Sequence, residues 1–421
     1  MIKTSELIVI GGGAAGMMAA ITAAQAGAKV CLLERNEKLG RKIYITGKGR
    51  CNVTNHCSVE EVLAATARNS RFLYGSLNRM TPADVERFFT DLGVKLKVER
   101  GNRVFPESDK AADIIDALFF QLKRLNVPVI QARAAEIRCD DAGAVCAVET
   151  DHGSFECKAV ILATGGLSYP ATGSTGDGYK MASDLGHNIV PPSASLVPLE
   201  SSDDFCGRMQ GLALKNVKLT VKNQKKKVLY QEQGELLFTH FGLSGPLILS
   251  ASAHMRDFEK NQYTCWIDLK PALDEATLDA RLVREFAANT NKDMANILGA
   301  LAPRMLIPVL LERAEIPGDR KAHDITKGER RRLLEVMKNF SVSISGTRPI
   351  SEAIITAGGI KVSEVDPKTM GSKKVPGLFF AGEILDVDAY TGGFNLQIAW
   401  ATGHEAGMSA AEYLKDFNVL G

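Results

Sequence analysis

The spacing of hydrophobic positions changes twice near the start of the chain. Leu7–Ile10 is a short apolar run typical of a buried strand, and residues 14–26 form an alanine-rich stretch typical of a helix. Residues 28–33 are again β-branched and apolar, and they end at Glu34. A strand, a helix and a second strand in about 30 residues form a βαβ unit, so the pattern predicts a parallel sheet in an α/β fold.

Helical and alternating patterns follow one another further along the chain. Helical spacing predicts helices over residues 59–77, 82–92 and 109–125, with Thr81 as the N-cap of the second and Pro82 at its first position. Residues 135–139, 144–150 and 155–162 alternate between apolar and polar positions and are separated by Asp- and Gly-containing turns. This alternation predicts a β-meander that leads into a buried strand.

The composition changes after Pro191 and Pro192. Short strand patterns and a lysine turn at residues 225–227 come first, and helical patterns occupy residues 273–339. A last strand over residues 374–382 and a last helix over residues 395–415 then resume the earlier α/β pattern. We therefore predict one discontinuous domain, residues 1–190 and 352–421, interrupted by an insert domain at residues 191–351.

Composition narrows the class of protein. The 421 residues are 45% hydrophobic and 24% charged, with a formal charge of +2, which is ordinary for a globular protein. This balance favours neither nucleic acid nor an acidic membrane surface as a partner. The eight cysteines include no C-x-x-C pair and the histidines no H-E-x-x-H motif, so we expect free thiols and no metal.

An uncharged stretch at residues 7–28 is long enough to resemble a membrane span. It is mostly glycine and alanine, which contribute little transfer energy. We therefore expect a soluble cytoplasmic protein without a membrane partner, and the oligomeric state stays open.

The first chemical motif is Gly11-Gly12-Gly13-Ala14-Ala15-Gly16, a G-x-G-x-x-G match between the first strand and the first helix. Gly11 permits the tight turn, Gly13 lets a pyrophosphate approach the backbone, and Gly16 lets the helix pack closely. Glu34, about 20 residues on, can accept hydrogen bonds from ribose hydroxyls. A carboxylate there would repel a 2′-phosphate, so the pattern predicts FAD or NAD rather than NADP.

The second motif lies near the C-terminal end. A strand ends at Gly382 and Glu383, Asp388 follows, and the segment Gly392-Gly393-Phe394-Asn395 opens the last helix. The N-terminus of such a helix favours negative charge, which a reduced flavin carries near N1 and the adjacent carbonyl. The alternative is a capped strand and a glycine-started helix without a ligand.

The third motif is the glycine- and base-rich segment at residues 40–55. Lys42, Lys48 and Arg50 can meet phosphate or flavin oxygens, together with the backbone around Gly49. Cys51 beside two bases could have a depressed pKa and act in catalysis. A small buried packing residue is the interpretation we favour for Cys51, because no resolving cysteine is close in sequence.

Three further features bear on the chemistry. Thr164 and Gly165 follow a buried strand, where the backbone can pass close to a cofactor. Tyr169 and His240 are candidate acid/base residues, although a loop aromatic and a structural histidine are at least as common. Residues 327–332 hold four bases and one acid, which is typical of a solvated helix face and only rarely of a nucleic-acid contact.

The motifs GRCNVTN, ATGGLSYPATGSTGDGY, THFGLSGP and AGEILDVDAYTGGFNLQIAWATG together resemble the HI0933-like bacterial flavoproteins, whose members are named as aminoacetone oxidases or 3-dehydro-bile-acid Δ4,6-reductases. The resemblance covers nearly the whole chain. It implies a glutathione-reductase-like Rossmann FAD-binding domain, with an insert made of a β-barrel at about residues 191–272 and a helical part at about residues 273–351.

The same resemblance implies a set of FAD-binding positions. They are Gly11, Gly13, Ala15, Gly16, Glu34, Lys42, Arg50, Cys51, Asn52, Thr164, Gly165, Gly382, Glu383, Gly392, Gly393 and Asn395. From the same motifs we add Ala14, Arg35, Gly49, Asp388 and Phe394.

No second G-x-G-x-x-G is present, so the sequence predicts no dedicated NAD(P)H domain, and NAD(P)H would bind only transiently. We predict an FAD-dependent oxidoreductase that transfers a hydride between flavin N5 and a small organic substrate, with NAD(P)H as donor and a conjugated C=C bond as acceptor. An amine oxidase that uses O₂ is one alternative. A flavoprotein that binds RNA or a protein, with nucleic acid the less expected partner, is another, and a flavin-binding subunit without turnover is a third.

Overall fold

The computed structural model describes residues 4–420. Its strands are β1 Leu7–Ile10, β2 Val30–Glu34, β3 Thr54–Asn55, β4 Leu96–Glu99, β5 Arg103–Pro106, β6 Val129–Gln131, β7 Ala134–Cys139, β8 Val145–Thr150, β9 Gly153–Glu156, β10 Ala159–Leu162, β11 Ile189–Ser195, β12 Leu199–Ser201, β13 Ala213–Asn223, β14 Val228–Thr239, β15 Gly242–Ser244, β16 Tyr263–Asp268, β17 Phe340–Thr347, β18 Ile355–Ile360 and β19 Leu378–Phe380. Its helices are α1 Ala14–Gln25, α2 Arg41–Ile45, α3 Val59–Ala64, α4 Tyr74–Arg79, α5 Pro82–Asp91, α6 Ala111–Arg124, α7 Asp177–Asp184, α8 Phe205–Arg208, α9 Pro246–Ser252, α10 Glu275–Ala288, α11 Met294–Ile297, α12 Ile307–Ala314, α13 Lys327–Lys338 and α14 Phe394–Leu420.

The chain divides into two compact units. Unit 1 contains the described residues up to Ser195 and those from Pro349 onward, and unit 2 is Leu196–Arg348. Each unit has its own cluster of buried apolar side chains. The sequence predicted the insert at residues 191–351. The structure keeps residues 191–195 in unit 1 because β11 pairs with β18 there.

Unit 1 is built on a parallel sheet with the strand order β19-β10-β1-β2-β6. Both faces of such a sheet are covered, so its strands are apolar throughout, and Leu7–Ile10 and Ala159–Leu162 are buried along their whole length. The meander β7-β8-β9 is a separate antiparallel sheet. The predicted Rossmann fold is confirmed.

Helices α1 and α14 pack closely through small residues. A Cβ on Gly403 would lie 2.4 Å from the carbonyl oxygen of Ala15, and one on Gly407 would lie 2.5 Å from that of Ala19. Only glycine permits backbones to approach this far. This contact fixes the start of α14 next to the turn that precedes α1.

Unit 2 contains a closed barrel with the strand order β12-β15-β14-β13-β16-β17. Inward positions of β13 and β16 are apolar and buried, as in Leu219, Val221 and Ile267. The helices α10 to α13 lie between β16 and β17 in sequence. The last barrel strand, Phe340–Thr347, therefore falls in the segment predicted as helical, because its alternating pattern follows directly on a helix.

One predicted helix is broken. The segment 59–77 forms α3, a 3-10 turn and the start of α4, because Asn69 adopts φ +52° and its side chain donates a hydrogen bond to the Asp386 carbonyl oxygen at 2.6 Å. The helix predicted at 82–92 has the predicted N-cap Thr81, which also forms a capping box with Asp84. Across residues 4–420 no helix is long and apolar enough to span a membrane.

Candidate functional site: a cofactor cleft in unit 1

A cleft opens at the carboxyl ends of the parallel strands. Ile10, Glu34, Ala163 and Ala381, which end or follow β1, β2, β10 and β19, all line it. The space they enclose measures about 1380 Å³ out to its open mouth. Ligands of open α/β sheets bind at this edge, so the fold itself selects the position.

The turn between β1 and α1 presents bare backbone to the cleft. A Cβ on Gly13 would meet no described atom within 4 Å, whereas one on Gly16 would lie 1.8 Å from the carbonyl oxygen of Gly11. Gly11 has φ +108°, and a Cβ there would lie 2.5 Å from the carbonyl oxygen of Ala163. Gly13 therefore faces open space, and Gly11 and Gly16 make the close contacts that hold the turn.

The N-terminus of α1 is free to bind an anion. No described side chain caps it, and its first turn contains no acidic residue. The free N–H groups and the helix dipole of this 12-residue helix therefore point a partial positive charge at the region around Gly13. This arrangement fits a pyrophosphate.

Glu34 is buried and its carboxylate is held in place. Oε2 accepts a hydrogen bond from the backbone N–H of Gly12 at 2.7 Å. Oε1 accepts two from Asn36, from the backbone at 2.8 Å and from the side-chain amide at 2.6 Å. Because each carboxylate oxygen has two lone pairs, Oε2 keeps one for a ligand hydroxyl.

Asp177 lies between two arginines on the same side of the cleft. Arg35 contacts its Oδ2 at 3.0 Å, and Arg133 contacts the carboxylate at 3.2 Å. Arg35 also donates a hydrogen bond to Thr175. These contacts connect three segments on one side of the cleft. The segments are the loop after β2, the residue before β7 and the start of α7.

Lys42 and Glu383 meet on the cleft wall, although 341 positions separate them in sequence. Lys42 Nζ lies 2.5 Å from Glu383 Oε2 and donates a second hydrogen bond to Ser168 Oγ at 2.7 Å. Ser168 Oγ donates to Glu383 Oε1 at 2.8 Å, and the backbone N–H of Thr356 donates to the same oxygen. An ammonium has three donors, so Lys42 keeps one for the cleft.

A family model described as the HI0933-like protein Rossmann domain matches residues 5–409. The chain belongs to the HI0933-like family. The resemblance predicted from the motifs is confirmed, and as a member of this family the chain is an FAD-dependent oxidoreductase.

Two curated relatives match over almost their whole length. The chain is 32% identical over 415 residues to 3-dehydro-bile acid delta(4,6)-reductase of Clostridium scindens, which covers 96% of this chain and 98% of that protein. It is 31% identical over 398 residues to ribosomal RNA dihydrouridine synthase of Escherichia coli K12, with 94% and 96% covered.

Among solved structures, 3-ketosteroid-Δ4-(5α)-dehydrogenase from Rhodococcus jostii RHA1 has a TM-score of 0.52 and 16% identity, with 97% of each chain covered. This likeness concerns the fold alone.

The cleft brings together residues from all four regions that the sequence singled out. The predicted FAD-binding residues that line it are Gly11, Gly13, Ala14, Ala15, Glu34, Arg35, Lys42, Thr164, Gly165, Gly382, Glu383 and Asn395. The predicted residues outside its lining are Gly16, Gly49, Arg50, Cys51, Asn52, Asp388, Gly392, Gly393 and Phe394.

Arg50 is engaged elsewhere in this HI0933-like chain. Its guanidinium pairs with Glu99, donates to Asp109 Oδ1 at 2.7 Å and lies 4.1 Å from the centre of the Phe105 ring. The hydrogen bond to Glu99 raises the pKa of Arg50 further. The Arg50 guanidinium is therefore already paired with two carboxylates, and its predicted contact with a phosphate or flavin oxygen stays a prediction.

Cys51 is fully buried, and burial raises the pKa of its thiol to about 12. The predicted depression of the Cys51 pKa is wrong, because the neighbouring base Arg50 pairs with carboxylates and not with the thiol. Cys51 matches the packing interpretation that we favoured. All eight cysteines are free thiols.

The start of α14 uses its polar groups to hold its own loop. The Asn395 side chain accepts a hydrogen bond from the backbone of Ala389 at 2.9 Å and donates one back at 2.7 Å. A Cβ on Gly393 would lie 2.4 Å from the carbonyl oxygen of Thr54. Asp388 is buried and accepts a hydrogen bond from Ser195 at 2.7 Å. Asn395 lines the cleft, whereas Gly393 and Asp388 lie outside its lining.

The catalytic roles of Tyr169 and His240 stay predictions. Tyr169 is half-buried with φ +50°, and burial raises the pKa of its hydroxyl. His240 is exposed in unit 2, in the turn between β14 and β15, with its ring 5.0 Å from that of Phe241.

Several residues of the cleft were missed. Asn36, Arg133, Ser174 and Asp177 line it and are not among the predicted FAD-binding residues. The sequence shows that Asp177, Arg35 and Arg133 are charged residues. Their pairing was not predicted, because Arg133 and Asp177 are 44 positions apart and only the fold joins them.

Proposed function

We propose that the protein is an FAD-dependent reductase of a C=C bond conjugated with a carbonyl group. The observation that carries the proposal is the chemistry shared by two full-length relatives. One is named a delta(4,6)-reductase of a 3-dehydro-bile acid, and the other is named for making dihydrouridine. Both names describe the addition of two hydrogens to a ring double bond conjugated with a carbonyl.

In this proposal the turn at Gly11–Gly16 and the N-terminus of α1 hold the FAD pyrophosphate, and Glu34 accepts a hydrogen bond from a ribose hydroxyl. The open space at Gly13, the absence of a cap on α1 within the described chain and the remaining lone pair of Glu34 support this placement. When bound, FAD supplies a hydride from N5 of its reduced ring.

Lys42 is the residue best placed to stabilise negative charge in the cleft. Its ammonium is fixed by Glu383 and Ser168 and keeps one donor for the cleft. We infer that this donor stabilises the negative charge of a reduced flavin or the oxygen of an enone as its β-carbon accepts the hydride. Glu383 holds Lys42 in position, because its other oxygen is bound to Ser168 and Thr356.

NAD(P)H is the proposed electron donor. The absence of a second G-x-G-x-x-G from the sequence means that a pyridine nucleotide would have to reach the flavin without a Rossmann domain of its own.

The experiment is an anaerobic half-reaction in two steps. The purified protein is titrated with NADH and then with NADPH while the flavin band near about 450 nm is followed. A cyclic enone is then added. We expect bleaching by one nucleotide and recovery of the band on addition of the enone, with the saturated ketone as product.

Two results would contradict the proposal. A flavin that aminoacetone bleaches and O₂ re-oxidises with release of hydrogen peroxide would indicate an amine oxidase. A flavin that NAD(P)H reduces but that no enone re-oxidises would exclude this acceptor class. The saturated ketone serves as the matched control, because it lacks only the double bond.

A further inference from the structure

The barrel of unit 2 carries a long stretch of unbalanced positive charge. Residues 205–231 contain seven lysines or arginines and no aspartate or glutamate. This segment forms α8, β13, the following turn and the start of β14. The overall charge of +2 hides this local excess, since acids elsewhere in the chain balance it.

The strand register places part of this charge on one outer surface. Val217, Leu219 and Val221 are buried inside the barrel, so the alternate positions Lys218 and Lys222 face outward. They are about 13 Å apart along the strand at roughly 3.3 Å per residue.

The neighbouring strand adds an aromatic ring to this surface. Trp266 on β16 alternates with the buried Cys265 and Ile267, and it is half-buried. The Lys222 ammonium lies 5.3 Å from the centre of its ring.

The turn after β13 displays three more lysines in a fixed conformation. The side-chain oxygen of Asn223 accepts hydrogen bonds from the backbone N–H groups of Lys225 and Lys227, at 3.1 and 3.0 Å. Lys226 has φ +59°. The three side chains are exposed. We name the surface formed by Lys218, Lys222, Trp266 and residues 225–227 the lysine face.

The acids that border the lysine face are already engaged. Asp268, opposite Lys218, pairs with Lys338 at 2.6 Å. Glu232 accepts a hydrogen bond from the Tyr230 hydroxyl. Among residues 4–420, no ion pair is formed by Lys218, Lys222 or the three turn lysines.

Protection of an exposed sheet edge does not explain these lysines. Strand β13 pairs with β14 on one side and with β16 on the other, and the barrel is closed. Edge lysines serve strands that lack a partner. The helix at residues 327–332 differs, because Arg330 pairs with Asp279 at 2.7 Å and Arg332 lies 3.7 Å from Glu315.

We propose that the lysine face binds single-stranded RNA, with lysines on its phosphates and a base stacked on Trp266. Lysines without an ion pair and a partly exposed aromatic ring beside them are the two components of single-strand recognition. The inference rests on the proposed function for its substrate class, since uracil contains a C=C bond conjugated with a carbonyl. The name of the ribosomal RNA dihydrouridine synthase relative is consistent with it.

The test uses the full-length flavoprotein and a fluorescein-labelled 12-nucleotide uridine RNA, with binding followed by anisotropy at several salt concentrations. The chain has two tryptophans, and Trp400 is fully buried, so quenching of tryptophan emission reports on Trp266. The double variant Lys218→Gln, Lys222→Gln is compared with Lys327→Gln, Arg331→Gln, which removes two exposed bases of α13.

We expect the lysine-face variant to bind RNA at least ten-fold more weakly and to lower the slope of log affinity against log salt by about 1.4, as for two phosphates on a single strand. The α13 variant should bind like the parent protein, and RNA should quench Trp266. Equal loss in both variants, equal affinity for a base-free polyphosphate, or no binding at 50 mM salt would overturn the proposal.

The two proposals can fail separately. Flavin content and enone reduction are measured in the same lysine-face variant, whose substitutions lie outside the cofactor cleft. RNA binding without enone reduction would support RNA binding by the lysine face and reject the proposed reductase activity. Enone reduction without RNA binding would reject the lysine face alone.

Discussion

Two glycine-containing turns of unit 1 differ in charge and in what their backbones face. Gly11–Gly16 leaves Gly13 open to the cleft and carries no charged side chain of its own. Residues 47–52 fold on themselves, since Gly47, Lys48 and Cys51 all have positive φ, and a Cβ on Gly47 would lie 3.0 Å from the backbone nitrogen of Asn52. The uncharged turn presents N–H groups to the cleft, and the arginine of the basic turn is neutralised by Glu99 and Asp109 from outside the turn. Charge in a loop therefore does not by itself identify a phosphate site.

The strongest test of this contrast is Gly13→Glu. The new side chain enters open space, so folding should survive. Its carboxylate would occupy the pyrophosphate region, neutralise the partial positive charge at the N-terminus of α1 and repel the phosphates. We expect purified protein without flavin, measured by the absorbance ratio of the flavin band to the protein band.

Gly13→Ala is the matched control. It adds one methyl group in open space at φ −82° and should retain flavin. Yellow Gly13→Glu protein with normal flavin content would show that the first turn is not the cofactor site.

The second test adds the same methyl group three positions further on. A Cβ at Gly16 would lie 1.8 Å from the Gly11 carbonyl oxygen, so α1 must shift away from the turn. We expect Gly16→Ala to lose about 1–3 kcal/mol of unfolding free energy, as overpacking does. Urea denaturation of Gly16→Ala and Gly13→Ala measures the difference, and equal stability of the two would contradict the assigned packing.

Local patterns predicted the parts of the fold that depend on neighbours in sequence. The βαβ unit, the Thr81 cap and the position of Glu34 follow from periodicity, capping chemistry and motif spacing. The Lys42–Glu383 pair and the Asp177 contacts join distant segments, and no local signal specifies such pairs. The pairing of Arg50 with Glu99 and Asp109 was not predicted for the same reason, because the two acids lie about 50 positions away or more.

The third test compares a base that faces the cleft with one that does not. Lys42→Met removes a cleft donor and leaves Glu383 without its ammonium, and we expect FAD to bind about ten-fold more weakly, or about 1.4 kcal/mol. Arg50→Met should leave FAD affinity unchanged, because its partners are Glu99 and Asp109. Titration of the apoproteins with FAD, followed by flavin fluorescence, gives both affinities, and a larger loss in Arg50→Met would reverse the assignment.

The smallest effect is expected at Cys51, in the turn that folds on itself. Burial raises the pKa of this thiol to about 12, so the nucleophilic thiolate is absent at neutral pH and gains population only as the pH approaches that value. We expect Cys51→Ala to keep enone reduction, and iodoacetamide at pH 7.5 to leave Cys51 unmodified in the native protein while it labels the partly exposed Cys146. Peptide mass spectrometry reads both sites in one sample. Fast labelling of Cys51, together with loss of enone reduction in Cys51→Ala, would indicate that the turn at residues 47–52 belongs to the reactive site. The contrast between the two turns would then be wrong.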